Sequence, residues 1–505
     1  VALQVAPGES VEVTLTVVAT RVSASNFDAD AGSALVDWSR VRVEAQDSAL
    51  PPTLAAGVDD LRHLLMTDPQ DPADLFAAAG APWYLTLFGR DSLWAARMML
   101  PFGTDLAAGT LRTLARRQGI ETHVGRAEEP GKIAHELRRN PTGDRGTHFG
   151  AIYYGTVDAT CLWISLLHDA WRWGMPETQV EALLPNLSAA IGWMTAHTGP
   201  ATDGLLRYVD ATGTGLMNQG WKDSGDSIRW RDGRIAEAPI ALVEAQAYAV
   251  EAATFAAALL DGFGRAGGTA LLDWAAQMRA RVRDKFWVGH DQPGGPWLGI
   301  AVDAAGRTVD GLASNMGHVL GTGTLSAEES GRVARTLTSP ALLDTFGIRT
   351  LASDNGGYNP IGYHTGSIWT HDSAICAWNL SRAGHAREAA VVVRTLLASS
   401  TAFEHHWPEL YAGADALDRP APYPAACRPQ AWAAASAAAL FSVALGPEPN
   451  AREGRLVLRP CRPSPFGEMT LHGMEFAGHS FTVHCTADGT TTVLDAPADL
   501  TIEVV

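Results

Sequence analysis

The chain is poor in cysteine and in basic residues, and it has no long apolar run. Its 505 residues include five cysteines (Cys161, Cys376, Cys427, Cys461 and Cys485), odd in number, scattered, and never in a CxxC pair. They read as reduced core thiols, which predicts a cytoplasmic protein. Lys and Arg total 38 against 55 Asp and Glu, for a net charge of -17, and no basic cluster offsets that balance. Nucleic acid and acidic membrane surfaces are therefore excluded as partners, because both demand clustered cations. No stretch approaches the roughly 18 uninterrupted apolar residues of a membrane span. Charged residues make up only 18% and apolar residues 46%, which excludes a mainly disordered chain and allows a large core. A neutral, polyhydroxylated substrate suits this balance. The chain opens at Val1 in sequence that already reads as a strand, as expected of a processed or trimmed product.

Three textures follow one another. In residues 1–52, Val11, Val13, Leu15 and Val17 alternate with Glu12, Thr14 and Thr16, the pattern of a strand with one buried face. This segment reads as the C-terminal part of an N-terminal β-domain, closed by a Pro51-Pro52 linker. Residues 53–446 are helical. Val180, Leu183, Leu184, Leu187, Ile191 and Met194 fall at helical spacing, and similar stretches cover 91–100, 104–118, 157–173, 240–260, 269–286, 326–337, 367–383, 385–399 and 429–445. Long loops rich in Gly, Trp, His and Asp separate them, and such loops on a helical scaffold usually carry function. Residues 447–505 alternate in short strands, such as 455–458 and 481–484, and predict a small β-sandwich-like domain.

Candidate chemistry lies in the loops. In Asn218 to Asp226 no apolar period runs, and Trp221 stands two residues before Asp223. A Trp beside a carboxyl offers a sugar-stacking face and apolar surroundings that keep an acid protonated near neutral pH. Asp226 is a second acid in the same loop, and a polar turn capped by either Asp is the alternative. His405-His406-Trp407-Pro408-Glu409 is a second aromatic loop, where Glu409 suits a general base and the His pair could orient it; a surface loop with an ordinary Glu is the alternative. Phe88, Arg90 and Asp91 open a helix whose apolar stripe is Leu93, Ala96, Arg97 and Leu100. An adjacent Arg-Asp pair suits a grip on neighbouring hydroxyls. Asp91 serving only as an N-cap is the other reading. Tyr154 and Asp158, in Tyr153 to Asp158, read as a further rim segment. His364, Trp369, His371 and Asp372 form a fourth cluster. Its two His are seven residues apart with no further ligand cluster, which argues for substrate hydroxyl contacts and against zinc.

In order, the segments FGRDS (88–92), EPGKIAHE (129–136), YYGTVDAT (153–160), GWKDSGDS (220–227), PIALVEAQAY (239–248), YHTGSIWTHD (363–372), PELYAG (408–413) and PQAW (429–432) resemble the glucosidase portion of glycogen debranching enzymes and their bacterial relatives. The resemblance spans roughly residues 53–446. It implies a mainly α fold, an (α/α)6 barrel with its active site in loops at one end, an inverting mechanism and no cofactor. It implies Asp223 as general acid and Glu409 as general base, with Asp226 the rival acid and with Arg90 and Asp91 at the cleavage subsite. An inverting pair stands roughly 6.5–9.5 Å apart to admit water. Trp221, Trp369 and Trp407 would stack on sugars. The expected reaction is hydrolysis of a terminal α-glycosidic bond, in particular α-glucosidic, with the 1,6-linkage a candidate. The chain leaves no room for the second, transferase barrel of two-activity debranching enzymes. Small α-glycosides, such as a glucosyl-glycerate-type compound or a disaccharide, are alternative substrates. A phosphorolytic relative and a non-catalytic carbohydrate-binding toroid are the rival functions.

Overall fold

The computed structural model describes residues 5–12, 14, 16, 36–137, 151–199, 203–413, 418–498 and 500–505. Its helices are α1 (Leu50–Leu64), α2 (Gly89–Met99), α3 (Asp105–Ala115), α4 (Ala159–Trp173), α5 (Glu177–Ala182), α6 (Leu184–Ala196), α7 (Val243–Gly262), α8 (Gly268–Lys285), α9 (Ala327–Leu337), α10 (Thr370–Arg382), α11 (Ala386–Ser400) and α12 (Ala431–Leu445).

Two kinds of helix are present, and composition decides which is which. Every residue of α2 and α12 is buried, and α7 and α10 are buried nearly throughout. A helix without a polar face belongs inside. The alanines of α12 also let neighbours approach closely: a Cβ on Gly57 of α1 would fall 2.6 Å from the Ala434 carbonyl oxygen. By contrast α8, α9 and α11 bury one side and expose the other. Packing contacts run from α2 to α4, α4 to α7, α7 to the 3-10 turn Ser314–His318, from that turn to α10, α10 to α12, and α12 back to α2. The amphipathic helices pack outside this closed circuit, α8 on α7 and α11 on α10. The predicted stripe on α2 is therefore a fully buried helix, and Arg97 uses its guanidinium there. It pairs with Asp169 at 2.8 Å and Glu251 at 2.9 Å.

Two expectations change. Pro51 and Pro52 are not a linker, because they lie in the first turn of α1. Proline fits there, since its missing N–H has no partner in a helix start and its φ is already helical. Nor is the described part of the N-terminal segment separate from the C-terminal strands. The strand Arg42–Ala45 pairs antiparallel with Met469–Phe476, which continues to His479–Cys485 and Thr491–Leu494. A second sheet joins Pro447–Asn450, Arg455–Leu458 and Thr501–Val504. Of the alternating apolar residues, Val13, Leu15 and Val17 lie outside the described residues, and described Val11 is in no strand. Among the described residues no helix is long and apolar enough to cross a membrane.

Candidate active site

Several distant segments are tied together at one end of the buried helices. Backbone bonds zip Ala81 to Pro429 and Arg428 to Ala81, each at 3.0 Å, which sets the segment before α2 against the start of α12. Gly89 donates to the His135 carbonyl at 2.8 Å. A Cβ at Gly89 would lie 2.1 Å from the Ala134 carbonyl oxygen, so only glycine allows α2 to begin this close. The short strand Ile368–Trp369 pairs with Leu410–Tyr411 and brings Glu409 beside Trp369. The buried Lys222 ammonium donates to the Thr350 carbonyl, and the Thr350 N–H donates to Ser367 at 2.9 Å. Lys222 thus ties the loop carrying Asp223 to the strand beside Glu409.

The charged groups of these segments meet around one guanidinium. Arg90 is buried, with Nη1 at 3.0 and 3.2 Å from the two Asp158 oxygens and Nη2 at 3.4 Å from Asp223 Oδ2. The ring Nε2 of His135 lies 3.8 Å from the same Asp223 oxygen. Asp223 keeps 29% of its side chain exposed, whereas Glu409 is only 3% exposed. Burial pushes the Asp223 carboxyl up to about 6 even though Arg90 opposes the shift, and the charges of Glu136 and Asp158 add to it. Burial also pushes Glu409 up to about 7, against two donors, the Cys427 N–H at 3.0 Å and the Tyr363 hydroxyl at 2.7 Å. The charge of Asp223 contributes to that rise. Asp91 rises furthest of the three, to about 8, again through burial, with Asp223 and Glu409 adding to it and Arg90 opposing. Its Oδ2 accepts from Gln430 Nε2 at 3.2 Å.

Aromatic rings wall this cluster. Trp221 stacks on His318 and meets the edges of His364, Trp369 and His371. His364 stacks on Trp369 with centroids 4.7 Å apart, and His371 stacks on Trp432 at 3.6 Å. Phe88 packs edge-on against Tyr84 and His135. Burial holds both His364 and His371 well below the ordinary imidazole range, so they are neutral. Several buried polar atoms here have no partner among the described residues: both ring nitrogens of His371, His364 Nε2, and the indole nitrogens of Trp221 and Trp432. Unpaired buried donors and acceptors are costly, and a hydroxylated ligand or water would satisfy them.

The expected residues do not all converge. Asp223 lies in the cluster, but Asp226 turns outward, 49% exposed and paired with Arg229 at 3.2 Å. Asp91 is not a helix cap, because Phe88 holds that position and Asp91 sits in the first turn facing Gln430. Arg90 is taken up by Asp158 and Asp223, so Arg90 and Asp91 point to different partners. Trp407 is no stacking face for this cluster: it is buried, with its indole N–H on Ser399 Oγ at 2.9 Å. The Tyr154 hydroxyl points to the Arg117 carbonyl at 2.8 Å. His405 and His406 turn to Thr53 and Asp60 of α1, not to Glu409. Asp372 faces away from His364 and accepts from His318 at 2.7 Å.

That last contact forms a grouping the spacing of the sequence did not reveal. His318, Asp372 and Cys376 each place a ligand atom within 4.8 Å of the others. Both ring nitrogens of His318 are engaged, by Asp372 and by the Tyr248 hydroxyl. Burial pushes the Cys376 thiol well up, so it stays protonated. Without a free imidazole lone pair or a thiolate, this set does not fit a metal ion. The site residues that the sequence reading passed over are Tyr84, His135, Tyr363, Gln430 and Trp432. All but His135 stand in or beside the aromatic motifs, and the motifs were the available signal.

No protein-family model matches the chain, and no curated protein matches it. Solved structures do. A GH78 family rhamnosidase of Bacillus sp. GL1 is similar at 13% identity and a TM-score of 0.63, over 92% of this chain and 42% of that one. A GH63 mannosylglycerate hydrolase from Thermus thermophilus, in complex with Tris, is similar at 14% identity and a TM-score of 0.57, over 77% of this chain and 100% of that one. The same hydrolase in complex with Tris and D-glycerate gives 13% identity and a TM-score of 0.58, over 77% and 99%. The chain thus spans under half of the rhamnosidase and essentially all of the mannosylglycerate hydrolase. At these identities the likeness is one of fold, and the fold is one that glycoside hydrolases use.

Proposed function

We propose that the chain is an inverting glycoside hydrolase built on an (α/α)6 barrel, with Asp223 as general acid and Glu409 as general base. The observation that carries this reading is the convergence of two carboxyls from separate aromatic loops, each raised by burial, to about 6 and about 7, with the charge of Asp223 adding to the rise of Glu409. Asp223 donates a proton to the leaving oxygen, and its partial exposure suits a group that meets a departing aglycone. Glu409 takes a proton from water, and the Tyr363 hydroxyl and Cys427 N–H hold its oxygens in place. Arg90 stabilises the Asp223 carboxylate left after protonation of the leaving group. Asp91, Trp221, Trp369, His364 and His371 supply the sugar subsite, and the transition state is oxocarbenium-like. No cofactor or metal takes part. The five cysteines are free and buried, which suits the reducing interior expected of a cytoplasmic enzyme.

The substrate is a terminal α-glycoside. The debranching resemblance favours an α-glucoside, including the 1,6-linkage. A small glycoside such as a glucosyl-glycerate-type compound is the second reading, favoured by the full-length match to a hydrolase solved with D-glycerate. The experiment is a screen of aryl α-glycosides, α-linked disaccharides and glycosyl-glycerates, with and without phosphate, followed by proton NMR of the first product. An inverted anomer, independent of phosphate and lost in Asp223→Asn and Glu409→Gln, is expected. A retained anomer, phosphate dependence, or no turnover of any substrate would each refute it.

A further inference from the structure

The loops before and behind the acid segment enclose a second cavity of about 370 Å³. Arg90, Asp91, Asp223 and Glu409 do not line it. Its walls are the rings of Tyr153, Trp193 and Tyr208, and its mouth is formed by exposed Val124, Val209 and Ala211. The volume falls in the range of small-molecule pockets, which begins at roughly 300 Å³.

The charges in the wall are already compensated. Glu129 accepts from the Trp193 indole at 2.7 Å and lies 3.0 Å from His197 Nε2 and 3.3 Å from the Lys132 ammonium. Arg207 is tied to Asp203 and to the carbonyls of Pro239 and Asp303. Asp210 accepts from Thr212 and from the Gly215 N–H. An anionic ligand finds no cation to spare, since Arg207, Lys132 and His197 are all paired. A neutral one finds unused valences. The Gln219 side chain is buried and lines the cavity, yet its amide has no hydrogen-bond partner among the described residues. The Lys132 ammonium is held by Glu129, by the Ala127 carbonyl at 3.2 Å and by the face of Trp193, 5.6 Å from the ring centroid. Aromatic faces beside an open amide suit the apolar faces and hydroxyls of a sugar ring.

We propose that this cavity is a second, non-catalytic carbohydrate site for a neutral sugar or polyol of one or two rings. It abuts the acid. The Gln219 carbonyl accepts from the Val157 N–H at 2.8 Å, next to the Asp158 that holds Arg90. Tyr153 packs its edge on His135, the ring beside Asp223. An occupant therefore braces both segments that flank Asp223.

The test is equilibrium dialysis of the full chain with labelled D-glucose and D-mannose, which involves no turnover. Two classes of site are expected. One weakens in Asp91→Ala, and the other persists there but weakens tenfold or more in Gln219→Leu. Ala211→Trp, a surface change that plugs the mouth, should remove the same class if Gln219→Leu folds poorly. A single class lost in Asp91→Ala, a second class indifferent to both cavity variants, or no binding of either sugar overturns the proposal. Failure of the hydrolase reading would leave the second class in place, so the two failures are distinguishable.

Discussion

Replacing Tyr363 by Phe removes one hydroxyl from beside Glu409 and leaves the ring that packs on Trp369 and His364. A hydrogen bond to a charged group contributes about 1.5–3 kcal/mol, so the Glu409 carboxyl rises by about 1–2 pKa units. The consequence depends on which carboxyl is the base. With Asp223 at about 6 and Glu409 at about 7, the singly protonated enzyme carries its proton on Asp223 about one time in ten. That minority form is the active one if Asp223 is the acid. A rise of about 1.5 units at Glu409 thins it about 30-fold further. The plateau of kcat/KM should fall by that factor. The alkaline limb of the pH profile should move from near 7 towards about 8–9, because the second proton now leaves later. The measurement is kcat/KM from pH 4 to 10 on one aryl glycoside, for wild type and Tyr363→Phe. An alkaline limb that moves while the plateau holds would make Glu409 the acid and Asp223 the base. A profile that does not move at all would mean that Tyr363 does not hold Glu409 ionised.

Asp226→Asn should keep nearly normal turnover, since Asp226 faces out to Arg229, whereas Asp223→Asn should lose at least about a hundredfold in kcat, the lower range for a general acid; equal loss in both would put the acid in doubt. Asp91 has a folded-state pKa raised to about 8, so its contribution to stability is full below its unfolded value near 4 and is lost as pH rises through 8. Asp91→Asn should therefore gain melting temperature relative to wild type between pH 4 and 8, and a constant offset across that range would contradict the raised value. Lys222→Met should cost about 3–5 kcal/mol in urea unfolding, because Asp372 and Glu244 then lose a buried counter-charge; an unchanged midpoint would remove Lys222 from that network. Activity should survive prolonged chelation, and loss reversed by one divalent ion would overturn the metal-free mechanism.

Much of the scaffold was legible because burial leaves a mark on sequence. The stretch at 429–445 reads as a helix and is one, within two residues of its bounds, and the structure buries it throughout. The failures share a cause, which is contact between residues far apart in the chain. Nothing local in Arg42–Ala45 says that its partner is Met469–Phe476. Two adjacent prolines read as a break, but their effect depends on where in a helix they fall, and the first turn tolerates them. The choice between Asp223 and Asp226 is of the same kind. The turn closed by the Ser227 N–H on the Ser224 carbonyl sends one carboxylate inward and the other to solvent. Composition within three residues cannot carry that direction. His405 and His406 looked like partners for Glu409 by proximity in sequence, yet α1 offers Thr53 and Asp60 as better-placed acceptors.

Burial raises Asp91, Asp223 and Glu409 together, and repulsion from neighbouring carboxylates adds to it for each. Arg90 is buried and commits both of its Nη groups to Asp158 and Asp223. Where solvent is scarce and neighbouring charges repel, Asp91, Asp223 and Glu409 keep protons that they would release in water. Asp158, in the closest ion pair, takes the cation. Asp91 and Glu409, whose partners are an amide, a hydroxyl and a backbone N–H, are left to share what protons remain. Asp223 stands between these groups, with Arg90 on one side and open solvent on another. Its proton is therefore the one most responsive to what fills the cleft: an occupant that displaces water removes the solvation of its charged form and leaves the repulsion of Glu136 and Asp158 in place. Binding of a neutral sugar would raise Asp223 further, towards the protonated state an acid needs, while Glu409 keeps its two donors. Under the proposed roles, a bound sugar would thus move the pair towards the order that the chemistry needs.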